Sequence, residues 1–420
     1  MEEIVIKIPD HFSFNNNGIF DVVPIIGVFD WSVKNKNVLL DLSDCNSANY
    51  QALSLITLYV WFLYSRNKCR VEFRFSHDSE GASKMWRKMG AKGWHQVLIN
   101  QNERFKGNRF KPLIALRKES DFRLALSKVE SYTESFDIEY EKTLRYVMSE
   151  LMYNTLEHGR IYFKHGIKDL ILPSIIQFSW YRNSDELRFI VADLGTGIKN
   201  HLEQAYEPFE DHASAIIKAI EPRVSGTFGP ANPYSAKNNA GFGLYLSSNI
   251  IRRLSADMHI ISGNGSVHIS PTDITTRSLK SHWPGTFYVV DIHLSREMPI
   301  NLQDMMAEFR EQATKEIRNG EQEEKEKKHY LSINNLFGLF AEDKESAIKC
   351  RDKYLIPAAE RDEDILIDFS GVKSAPHSFL NALLAAVIRE IGIKAYKKIK
   401  IINAATEIRE TIDFILDENT

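Results

Sequence analysis

The stretch Leu187–Ile198, LRFIVADLGTGI, constrains this chain more than any other. Its apolar run has the composition of a buried strand, and that run stops at one carboxylate, Asp193. Gly195 and Gly197 follow and remove side chains, so that backbone can approach a ligand closely. A carboxylate at a strand end is suited to accept a hydrogen bond from an exocyclic amine. D-x-G-x-G taken by itself is also a common turn, so its meaning depends on its neighbours in the chain.

Upstream, Thr143–Gly159 reads TLRYVMSELMYNTLEHG. Leu144, Val147, Met148 and Leu151 recur at helical spacing and are expected to face a core. Glu150, Asn154 and His158 share a different face. An Asn carbonyl can ligate Mg²⁺ without adding charge, and a carboxylate one turn away can polarise a water. An ordinary solvated surface would give the same polar face. Downstream, Ala240–Ile250 reads AGFGLYLSSNI, where Gly241, Phe242, Gly243 and Leu244 open a helix. Helix N-termini of this kind present free N–H groups and a positive dipole end to phosphate. Before it, Glu221–Asn239 is rich in Gly, Pro, Ser and Asn and reads as a mobile lid, with Arg223 and Lys237 as its cations. Trp283-Pro284-Gly285-Thr286 then leads into an apolar strand, Phe287–Leu294.

Composition bounds the remainder. The 420 residues exceed one ordinary core, and 43% hydrophobic with 26% charged residues is a globular balance. A net charge of −3 gives no global field for nucleic acid or anionic lipid. The three cysteines form no CxxC pair, which argues against zinc or a disulfide framework and suits a reducing cytoplasm. The start MEEIVIKIPDHF lacks the pattern of a signal peptide. The apolar run Leu53–Tyr64 is too short for a membrane span, which needs ~20 residues, and reads as a buried helix.

Five segments follow from this pass: 1–100, 101–139, 140–295, 296–329 and 330–420. In the first, a strand over Val38–Ser43, a helix over Tyr50–Arg66, a strand over Cys69–Ser76 and a helix over Ser83–Gly90 imply an open α/β layer. The second reads as a polar helical connector, and its basic cluster RFKGNRFKPLIALRK (Arg104–Lys118) as a solvated linker. The fourth is a charged linker helix. The last repeats the plan of the first, with strands over Asp364–Ser370 and Lys398–Asn403 and helices over Ser378–Ile391 and Ala405–Leu416. Asp41-Leu42-Ser43 and Asp368-Phe369-Ser370 are the matching points.

In their order, SELMYNTLEHG, DLGTGI, GFGL and GT resemble the N box, the two glycine boxes and the terminal threonine of the GHKL (gyrase, Hsp90, histidine kinase, MutL) ATPases. The resemblance implies a Bergerat α/β sandwich at 140–295, with helices on one face of a mixed sheet and ATP under a lid. It further implies Glu150 as catalytic base, Asn154 as Mg²⁺ ligand and Asp193 as adenine contact with Thr286 as its partner. Gly195, Gly197, Ile198, Gly241, Phe242, Gly243, Leu244 and Lys237 complete the nucleotide set. The chain has no histidine between Gln96 and Glu157, so a histidine-kinase phosphoacceptor before the N box is missing.

ILIDFSGVKSAPHSFLNALLAAVI (Ile365–Ile388) resembles STAS-like domains, and VLLDLSDCNSANYQALSLITLYVWFL (Val38–Leu63) resembles the same fold. Counting from the Asp-x-Ser turns, the phosphoacceptor place of partner-switching relatives falls near His377 and Ser378, and near Tyr50. Ser378 reads equally as a helix N-cap. The expectation is an α/β protein that binds and hydrolyses ATP as a regulatory switch, its nucleotide state controlling STAS-like domains or a protein partner, with dimerisation compatible. The alternatives are an anti-sigma-type serine/threonine kinase acting on a STAS partner, and a non-catalytic nucleotide-gated module.

Overall fold

A computed structural model describes residues 3–420 except 17, 77–80, 134–137, 160, 182, 225–240, 295–300, 328 and 362, and gives the backbone alone for 132–133, 157–158 and 316–327. The chain divides into two compact units, Met1–Phe309 and Arg310–Thr420. The boundary falls inside a helix, Leu302–Lys327, where the charged linker helix was expected.

The first unit begins with a parallel sheet. Strands β1 (Glu3–Lys7), β2 (Asn37–Leu42) and β3 (Arg70–Phe75) pair in that order. Helix α1 (Tyr50–Ser65) makes the crossover between β2 and β3, and Asn49 caps it by accepting from Ala52 N–H at 2.7 Å. Every residue of α1 except Phe62 and Tyr64 is buried. A helix apolar on all sides must be covered on all sides. The cover comes from its own sheet and from a second sheet, built by β4 (Leu113–Leu116), β5 (Ser174–Tyr181), β6 (Glu186–Ala192), β7 (Asp257–Ile269) and β8 (Ile274–His293). One apolar core joins Leu40, Tyr59 and Trp61 to Ile175, Ile190, Ile261 and Val289. The segment 1–100 therefore shares its core with the central module.

The central sheet runs β7-β8-β6-β5-β4, and all its pairings are antiparallel, where a mixed sheet was expected. Short loops join β5 to β6 and β7 to β8, as antiparallel neighbours allow. The segment 101–139 contributes edge strand β4 as well as helix α2 (Glu119–Thr133), so it is not only a helical connector. Pro112 stops a helix from forming ahead of the apolar run Leu113–Leu116, which is buried. Helices α2, α3 (Ile138–His158) and α5 (Gly243–Arg253) cover the sheet face away from α1, and α3 packs against α5. Leu144, Val147, Met148 and Leu151 of α3 are fully buried, as their spacing requires.

The second unit repeats the parallel motif. Strands β9 (His329–Ser332), β10 (Ile365–Asp368) and β11 (Ile399–Ile402) pair in that order. Helix α6 (Lys344–Cys350), helix α7 (His377–Ile391) between β10 and β11, and a last helix α8 (Thr406–Asn419) enclose a separate core around Phe369, Phe379 and Leu383. Helix α7 begins one residue earlier than the sequence suggests, with Pro376 as N-cap, so Ser378 is an exposed first-turn residue and not the cap.

Candidate functional site

The sheet ladder carries Asp193 into place. Beyond β6, Asp193 N–H still donates to Thr286 O at 2.9 Å, and Trp283 Nε1 donates to Asp193 O at 2.9 Å. The carboxylate Oδ1 accepts from Gly195 N–H at 2.7 Å and from Thr286 N–H at 3.3 Å. Among the described residues these are its only hydrogen bonds, so Oδ2 remains as a spare acceptor. The residue is 5% exposed. Burial pushes its pKa up to about 7, against the pull of the Gly195 and Thr286 N–H groups.

Glycine is required next to this carboxylate. A Cβ at Gly285 would lie 2.4 Å from Asp193 O and 2.5 Å from Oδ1. A Cβ at Gly159, which ends the N-box segment, would lie 2.8 Å from the Asp193 Cβ. Thr286, expected as the partner of Asp193, reaches it through its backbone N–H, while its hydroxyl donates to Ser262 Oγ at 3.2 Å.

Ser262 is a residue that sequence reasoning missed. Its hydroxyl donates to Gly285 O at 3.0 Å and accepts from Ile198 N–H at 2.9 Å, so both glycine segments hang on one side chain. Gly197, at φ +76°, lies beside it. Ser262 sits where the β7–β8 register shifts, and no local motif announces it. Tyr288 was missed as well. Two residues beyond Thr286 and buried, it shares a hydrogen bond with the Asn154 side chain. Burial first, and then Asp193, drive its pKa upward. The Tyr288 phenol thus bonds Asn154 and feels the charge of Asp193.

The second glycine segment meets α3 from the other side. Glu150 occupies the space a side chain at 243 would fill, and a Cβ there would lie 3.2 Å from its Cδ. Gly243 is the first residue of α5, so a carboxylate rests at a helix N-terminus. Gly241 has φ +79°, and a Cβ there would lie 2.6 Å from the Arg223 backbone; the Arg223 guanidinium lies 6.0 Å from the Phe242 ring. Phe242 N-caps α5 through its backbone carbonyl, and Leu244 is half-buried in the first turn. Lys237 and most of the expected lid lie outside the described residues. A cavity of about 560 Å³ borders the first glycine turn, lined by Leu194, Gly195, Thr196, Ile161, Tyr162 and, from α1, Phe62 and Arg66. Sequence reasoning had no reason to bring α1 to this place.

These features define a mixed α/β protein with a polar cluster at the helix-covered edge of an antiparallel sheet. Residues 346–409 match the family model of a STAS-like domain of unknown function (DUF4325). The match lies within the second unit and spans β10, α7 and β11. No curated protein and no solved structure matches the chain. Among the described residues no helix is long and apolar enough to cross a membrane.

Proposed function

We propose that residues 140–295 are an ATP-binding module of the GHKL type with a Bergerat-like sandwich, and that it hydrolyses ATP to switch the STAS-like domain or a protein partner between states. The observation that carries this reading is the convergence of Glu150, Asn154, Asp193, Gly243 and Thr286. They are scattered along the chain, yet are connected through Tyr288, Ser262 and the glycine backbone.

The donor set fits the nucleotide. The spare Oδ2 of Asp193 is an acceptor for the adenine amine, and Gly195 lines the adjoining cavity, where a ring can sit. With Tyr288 engaging its carboxamide, Asn154 has a fixed orientation from which its carbonyl can ligate Mg²⁺. Gly241–Leu244 offer N–H groups to phosphate, with Lys237 and Arg223 as lid cations. Bound Mg-ATP would supply the phosphoanhydride bond. Glu150, one turn from Asn154 and against Gly243, is the base that orients water toward it.

Incubation with γ-labelled ATP tests the reading, with free and protein-bound phosphate counted separately. Release of free phosphate that is lost in Glu150→Ala, while Mg-ATP binding persists, supports the switch. Label on protein would make it a kinase. Turnover retained in Glu150→Ala would remove Glu150 as base.

A further inference from the structure

The sheet face opposite α3 holds a second cavity, remote in chemistry from the glycine segments. About 420 Å³ in volume, it lies between residues 14–22 and strands β7 and β8. Sites for small molecules commonly span ~300–1,000 Å³.

Its inner wall is rich in acceptors. Gln51 is 1% exposed. Its Nε2 donates to Gln177 Oε1 at 2.9 Å and to Arg188 O at 3.3 Å, and two acceptors on one atom fix the amide orientation. Gln51 Oε1 then has no hydrogen-bond partner among the described residues. A buried acceptor left in this way is unfavourable unless something donates to it.

Asp257 and Asp291 stand directly opposite each other across the β7–β8 pairing. Like charges in that relation are destabilising unless they are neutralised. His268 Nε2 lies 2.7 Å from Asp257 Oδ1. Among the described residues the one ion pair of Asp291 is with Arg188 Nε at 3.7 Å, and Arg188 is held more closely by Glu186. The Asp291 side chain, which lines the cavity, is 41% exposed. Burial nonetheless pushes its pKa up to about 6, with Arg188 pulling it down.

A column of rings borders the site. Phe20 stacks on one face of His259 at 3.5 Å between centroids, and His268 on the other at 4.1 Å. Burial, and then His268, push the pKa of His259 down to about 3, so the ring held between them is neutral and adds no positive charge to the site.

From these placements we infer that the cavity is a binding site for a small, flat organic cation carrying an amidinium or guanidinium group. Its N–H groups would donate to Asp291, Asp257 and Gln51 Oε1, beside the ring column. A planar fork matches paired carboxylates better than a point-charge ammonium does. None of these residues belongs to the nucleotide cluster, so this inference stands or falls apart from the ATP reading.

The probe is benzamidine, titrated calorimetrically into the full chain, with neutral benzamide and Mg²⁺ as controls. The expected result is saturable one-to-one binding of benzamidine that weakens at least tenfold in Asp291→Asn, while Arg277→Ala at the exposed rim binds no more weakly than wild type. Asp291→Asn keeps the side-chain shape and removes the like charge opposite Asp257, so it should fold, which an unchanged or raised melting temperature would confirm. Three results would each overturn the inference: no saturable binding, equal binding by Asp291→Asn, or equal binding of benzamide. Competition by Mg²⁺ alone would reassign the cavity to a metal ion and overturn it too.

Discussion

The parallel sheets of the two units end their middle strands in the same turn and then diverge. In β2, Asp41 Oδ1 accepts from Ser43 N–H at 3.1 Å and Ser43 Oγ at 2.6 Å. In β10, Asp368 Oδ1 accepts from Ser370 N–H at 2.9 Å and Ser370 Oγ at 2.7 Å. The next helices differ. Helix α1 is apolar all round and serves two sheets. Helix α7 keeps His377, Ser378, Asn381, Arg389 and Glu390 exposed and belongs to one self-contained core. One strand-turn-helix plan thus yields a structural layer in the first unit and a separate domain in the second. What decides between them is whether the helix carries one apolar face or all of them.

The largest expected effect comes from emptying each core. Trp61 and Phe379 are both fully buried. Either change to Ala should cost about 3–5 kcal/mol. Trp61→Ala also strands the Trp94 carbonyl to which Trp61 Nε1 donates at 2.9 Å. Because α1 supports the central sheet and supplies Phe62 and Arg66 beside the glycine turn, Trp61→Ala should weaken Mg-ATP binding as well. Phe379→Ala should melt the second unit and leave nucleotide affinity within about twofold. Calorimetric melting combined with nucleotide titration checks both. Equal loss of affinity in the two variants would break the contrast.

The turns provide a finer test. Beyond its turn, Asp368 accepts from Tyr330 Oη through Oδ2 at 2.6 Å and from Asn403 Nδ2 through Oδ1 at 3.0 Å. Asp41 accepts there from Arg74, at 3.1 Å on a half-exposed side chain. Asp368→Asn should therefore cost about 2 kcal/mol and Asp41→Asn about 1 kcal/mol, read by denaturant unfolding. Similar costs would mean that the outer partners contribute little.

Proton linkage should separate the units in opposite senses. The folded pKa of Asp193, about 7, lies above the ordinary 3.8. Its contribution is fully present below about pH 4 and is lost as pH rises toward 7. At Asp368, burial acts to raise the pKa, but hydrogen bonds from Tyr330, Asn403 and Ser370 outweigh it and hold the pKa at about 2. That contribution is present above about pH 4 and is lost as pH falls toward 2. Melting each unit across this range, with Asp193→Asn and Asp368→Asn as references, should show slopes of opposite sign. The smallest effect is expected at Ser378. Exposed and not the N-cap, it should tolerate Ala within about 0.5 kcal/mol.

Much of the site was legible because its chemistry is written in local runs. The period of α3 separates Leu144 and Val147 from Glu150 and Asn154, and a strand that stops at Asp193 before glycines announces a turn. Ser262 and Tyr288 were not legible. Each is one polar residue in a long strand, and its role arises only from a register shift or a cross-strand neighbour. The direction of the central strands was misjudged because an apolar run reads the same in either sense. The strand Leu113–Leu116 was hidden by the basic residues on both sides of it. The four buried residues Leu113–Leu116 are enough for an edge strand when the sheet supplies the partner. For α1, the apolar run correctly indicated burial but could not tell what would bury it.

The most direct test is calorimetric titration of Mg-ATP into the wild-type chain and Asp193→Asn. The account predicts saturable one-to-one binding by wild type and at least a tenfold loss in Asp193→Asn, because a charged acceptor bond is worth about 1.5–3 kcal/mol. The wild-type affinity should also fall as pH drops below about 7, where Asp193 takes up its proton. Absence of binding by wild type, or equal affinity in Asp193→Asn, would contradict it.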